Sequence, residues 1–116
     1  MRFLSIYKCA ETGAPPSQEE MTKMGKLIED GMKAGWLIAT EGVSFGQKGV
    51  RVHKSTTGTV TVTDGPFAEA KEVIGGYALL KADSRDDVIE LIRNFLEVAG
   101  QGTCEVYPLY DTPAGG

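Results

Sequence analysis

The chain has 116 residues, two cysteines and one histidine, and its 16 Asp+Glu outweigh 12 Lys+Arg for a net charge of −4. A hydrophobic share of 41% and a charged share of 24% fit one soluble globular domain that builds its core without staples. The acidic balance argues against nucleic acid as a partner, and no apolar run approaches the roughly 20 residues of a membrane span.

The opening residues carry no signal-peptide pattern, so the expectation is a cytoplasmic protein whose first strand begins almost at once. Arg2 to Cys9 is apolar on both parities, with Leu4 and Ile6 on one face and Phe3 and Tyr7 on the other. Ser17-Gln18-Glu19-Glu20 has the form of a capping box. Met21, Met24, Leu27, Ile28 and Met32 then recur at helical spacing, and Gly35 supplies a left-handed stop. The four methionines read as core filler and Trp36 as core or interface.

Trp36 to Thr40 is a short strand. Val50 to Lys54 and Thr59 to Thr63 flank Ser55-Thr56-Thr57-Gly58 as a hairpin. Ile74 to Lys81 is the next strand; its Gly75-Gly76 pair lacks phosphate-loop spacing and marks a bulge or a close backbone approach. Ser84 caps a second helix with Val88, Leu91, Ile92, Phe95 and Ala99 inward and Gly100 at its end. Cys104 to Tyr110 is the last strand. Residues 1–110 form a single domain, and residues 111–116 read as a flexible tail.

Removing the hairpin leaves βαββαβ, an α+β ferredoxin-like motif: an antiparallel sheet with two helices on one face. The other face carries apolar residues too, and a bare face of that kind is unusually large for a monomer. The simplest cover is the same face of a second copy, so a homodimer is expected. In this topology Cys9 and Cys104 fall on neighbouring strands. They read as reduced thiols, and neither has a histidine nearby in sequence that would complete a metal signature, so no metal or other cofactor is expected.

Asp64-Gly65-Pro66-Phe67 has a structural reading as an Asx-type turn with Phe67 available to fill a gap. Its functional reading rests on company. Asp64, Glu69, Lys71 and Glu72 lie within nine residues, and carboxylates beside a lysine can hold an acid and a base or clamp a polar ligand. Glu41 at the end of a short strand is a second carboxylate for the same cleft. Phe67 and Tyr77 are candidate walls. His53 reads as a surface or cross-strand residue, and is a candidate ligand contact if the hairpin folds toward the cleft.

The stretch TVTVTDGPFAEAKEVIGGYALLKAD resembles the signature of the YCII-related, DGPF-domain proteins through Asp64, Gly65, Pro66, Phe67, Glu69, Lys71, Glu72, Gly75, Gly76 and Tyr77. The opening strand, Ala34-Gly35, Glu41-Gly42 and Glu105-Val106 extend the resemblance over nearly the whole chain. It implies a dimeric α+β barrel in which two ferredoxin-like sheets face each other. Some relatives act as enzymes, a dehydrochlorinase among them, through a His–Asp pair whose histidine comes from the first helix. Here Gln18 to Ala34 contains no histidine, so the pair is not carried over. Family members are often encoded beside extracytoplasmic-function sigma factors, which implies a regulatory or stress context. Three functional expectations follow: binding of a small polar molecule near the turn, cofactor-free acid–base catalysis of a lyase or hydrolase type with Asp64 assisted by Glu69, Lys71 or Glu72, and a regulatory interaction module.

Overall fold

The computed structural model describes residues 1–10, 16–43, 49–65 and 72–110. In chain order these form β1 (Arg2–Cys9), α1 (Gln18–Ala34), β2 (Leu37–Gly42), β3 (Val50–Lys54), β4 (Val60–Asp64), β5 (Val73–Lys81), α2 (Arg85–Ala99) and β6 (Thr103–Pro108). Four strands make one antiparallel sheet in the order β2-β5-β1-β6, and β3 and β4 make a separate two-stranded ribbon. This is the expected ferredoxin-like α+β architecture with an inserted hairpin.

The helix ends follow from their caps. The Ser17 and Ser84 hydroxyls accept the amides of Glu20 and Asp87, each satisfying a donor that the first helical turn leaves free. Gly35 closes α1 at φ 89°, and its amide donates to Gly31 O. Gly31 is buried beneath the Trp36 indole, where a Cβ would lie 2.7 Å from the ring.

The core lies between the sheet and both helices. Phe3, Leu37, Leu80 and Val88 are its fully buried members, with Ile28, Trp36, Ala78, Ile92 and Val106 packed around them. Strand alternation puts Phe3, Ser5 and Tyr7 of β1 on this helix face, opposite Leu80, Ala78 and Gly76 of β5. The other face carries Leu4, Ile6, Lys8, Tyr77, Leu79, Glu105 and Tyr107 in register, together with Ala39 and Glu41 of β2. No helix covers it.

Several boundaries differ from the sequence reading. β2 begins at Leu37 and runs to Gly42 because Glu41 and Gly42 still pair with Tyr77 and Gly76. β6 ends at Pro108, and Tyr110 is almost wholly exposed. Met21 and Met32 are exposed, so of the helical methionines Met24 alone turns inward. The hairpin is shifted by one residue: Lys54 pairs with Val60, and the Ser55 amide donates to Thr59 O across a five-residue loop. Val50, Val52, Val60 and Val62 therefore share one face of the ribbon, at 56, 63, 57 and 62% exposure. Arg51, His53, Thr61 and Thr63 share the other.

Candidate functional site

A cavity of about 260 Å³ opens between the helices and the sheet. Met24, Leu27 and Ile28 of α1 and Leu91, Ile92 and Phe95 of α2 form its helical wall. Ser5, Tyr7, Thr40, Ala78 and Leu80 rise from the sheet floor, and Trp36 closes one side. Gly42, Gly75 and Gly76 lie at the rim, beside Glu41 and Tyr77. The lining is therefore overwhelmingly apolar, as sites for small molecules commonly are, with few polar groups to orient an occupant.

The polar groups on the floor are already engaged. The Thr40 hydroxyl donates to Tyr77 O at 2.8 Å. The Tyr7 hydroxyl donates to Gln101 O, and its ring meets Phe95 edge to face with centroids 5.1 Å apart. Two glycines make room for that ring: a Cβ on Gly75 would sit 2.9 Å from it and one on Gly102 only 2.4 Å. Burial, followed by the nearby Cys9 thiol, pushes the Tyr7 hydroxyl up to about 12, so it stays a neutral donor.

The Gly75-Gly76 pair does two jobs that the sequence had left as alternatives. Gly75 is the extra residue where the β1–β5 register shifts between Tyr7 and Lys8. Gly76 admits β2 at close range, since its Cβ would meet Glu41 O at 2.8 Å.

The candidate residues from the sequence do not converge. Glu41 and Tyr77 are cross-strand partners on the helix-free face, where the Tyr77 hydroxyl donates to Glu41 Oε2 at 3.3 Å. The Glu41 charge, then burial, raises the Tyr77 hydroxyl. Asp64 ends β4 on the valine face of the ribbon, and His53 projects from the opposite face. Both are exposed, and neither lines the cavity. Glu72 is exposed just before β5. Phe67, Glu69 and Lys71 lie outside the described residues, as does Pro66. That segment joins the chain immediately ahead of the strand that carries the cavity rim.

Cys9 and Cys104 are both free. Cys104 stands opposite Tyr7, and Cys9 lies two residues further along β1 on the same face. Their relation is thus diagonal, and diagonal Cβ separations exceed the roughly 4 Å of a disulfide. Burial raises the Cys104 thiol, with the Ser5 hydroxyl working the other way. Among the described residues no group of three or more His, Cys, Asp or Glu side chains is placed to hold a metal ion, and no helix is long and apolar enough to cross a membrane.

Tyr7, Thr40 and Phe95 escaped the sequence reading as site residues. Tyr7 and Phe95 were read as strand and helix core, and Thr40 carried no signal at all.

The model of the YCII-related domain matches residues 1–112. The chain belongs to the YCII family. No curated protein matches the sequence. Among solved structures, the YCII-family chain is similar in fold to 5-chloro-2-hydroxyhydroquinone dehydrochlorinase from Burkholderia phenoliruptrix AC1100, in complex with 2,5-dihydroxybenzoquinone. The TM-score is 0.52 at 15% identity, over 97% of this chain and 96% of that one. At that identity the likeness concerns the fold.

Proposed function

We propose that this YCII-family chain binds a small molecule with a flat, largely apolar body and one polar end, in the cavity between its helices and sheet. The observation that carries this reading is the cavity lining, in which Phe95, Leu91, Ile92, Leu27 and Met24 surround a floor whose hydroxyls are already hydrogen-bonded. The sequence placed the cleft beside the Asp-Gly-Pro-Phe turn and expected a polar ligand. The apolar walls favour a different body. The rim at Gly42, Gly75 and Gly76, where the backbone is not screened by side chains, suits the polar end. The structural neighbour's complex with 2,5-dihydroxybenzoquinone is consistent with a planar ring of this size class.

A binding role is favoured over acid–base catalysis by Asp64, because Asp64 and His53 face apart and Tyr7 is held as a neutral donor. The protein acts as a homodimer in this reading, with the helix-free faces of two sheets covering each other's Leu4, Ile6, Leu79 and Tyr107. Thermal shift against planar phenols and quinones tests the ligand class. A ligand at a hundredfold its Kd stabilises by about 2.7 kcal/mol. Ala78→Leu, which fills the cavity floor, should abolish that shift; an undiminished shift in the variant would place the ligand elsewhere and end the proposal.

A further inference from the structure

The β3–β4 ribbon has one face of four valines, all more than half exposed, and one face of Arg51, His53, Thr61 and Thr63. Strict alternation of this kind belongs to strands with one covered face. An isolated two-stranded ribbon is marginal in water. Yet no described part of the chain lies over the valines.

The corners of the valine face say what covers it. Lys54 stands on this face at the tip, beside Val60, and Asp64 stands on it at the root, beside Val50. The face thus carries a cation at one end, an anion at the other and apolar surface between. Such a pattern is its own complement when two copies lie face to face with their ribbons antiparallel: each tip then meets the other's root. A two-fold axis produces that arrangement.

We propose that the β3–β4 hairpin is a self-association arm, its valine face packed on the same face of a second copy's hairpin, with Lys54 of each copy beside Asp64 of the other. The contact is separate from the cavity and from the pairing of helix-free sheet faces, so it adds an association step of its own.

The test is the native mass of the full chain at about 10 µM by light scattering, compared with Val52→Lys/Val62→Lys. The variant should show half the wild-type mass with its helical circular dichroism retained. An unchanged mass would overturn the arm while leaving the sheet-face dimer standing, and a monomeric wild type would overturn both. The charge placement has its own readout. Lys54→Asp should weaken association at low salt, and Lys54→Asp/Asp64→Lys should restore it. The two positions lie at opposite ends of one ribbon, too far apart for direct contact within a subunit. A double variant no better than the single one would therefore overturn the antiparallel placement.

Discussion

Leu80 of β5 is 3% exposed and Val62 of β4 is 62% exposed, although both are aliphatic residues in antiparallel strands of the same chain. The sheet strands gain their cover from α1 and α2, whose apolar stripes close over Phe3, Leu37 and Leu80. The ribbon is inserted between β2 and β5, and among the described residues no helix buries its valines. The contrast teaches that a strand's alternation reports the cover it is built for, which the proposed arm would draw from a second copy.

The comparison breaks most sharply on a pair of truncations. Leu80→Ala should lower subunit stability by about 2–5 kcal/mol, whereas Val62→Ala should change it by about 0.5 kcal/mol or less. Denaturant titration at protein concentrations where association is absent reads both. A large loss at Val62 would mean that the chain covers its own ribbon.

A second measurement sharpens the sheet side. Gly102→Ala forces a Cβ to within 2.4 Å of the Tyr7 ring at a backbone φ of +126°. A loss of about 1–3 kcal/mol is expected. The ribbon's Gly58, with φ +94° and open space around it, should respond to alanine through backbone strain alone and lose less.

The smallest effect concerns pH. Tyr7 keeps its proton to about 12 in the folded state, above the ordinary 10.0. The folded state therefore binds more protons than the unfolded one between those values. Its stabilising contribution is complete below pH 10 and is lost as pH rises toward 12. Tyr7→Phe should flatten this part of the stability profile, and absorbance titration should lose a late tyrosine ionisation in the variant.

Much of the architecture was legible because it rests on local chemistry. Ser17 and Ser84 announce helix starts through their hydroxyls, and Gly35 and Gly100 announce ends. The two-faced β1 was legible from parity alone. The site was harder for a physical reason. Its walls come from α1, α2, β1, β2 and β5, and each residue taken singly looks like ordinary core. Met21 and Met32 misled because the arc of α1 that meets the sheet is narrower than its apolar stripe.

The hairpin shows how little separates two readings. A four-residue loop over 55–58 would pair Lys54 with Thr59 and put His53 on the same face as Asp64. The observed five-residue loop pairs Lys54 with Val60, and the one-residue slip moves the two residues to opposite faces. The Ser55 hydroxyl, which accepts the Thr59 amide at 3.1 Å, helps to set the longer loop.

The amide of Gly65 donates to the carbonyl of Gly49 at 2.8 Å, tying the two ends of the ribbon at its base. Everything from Val50 to Asp64 is thus an excursion that leaves and returns at one point, so its removal requires little adjustment of the strands on either side. That junction is a natural socket: a short glycine link should close it, and a foreign hairpin of similar span should seat there with the parent sheet left intact.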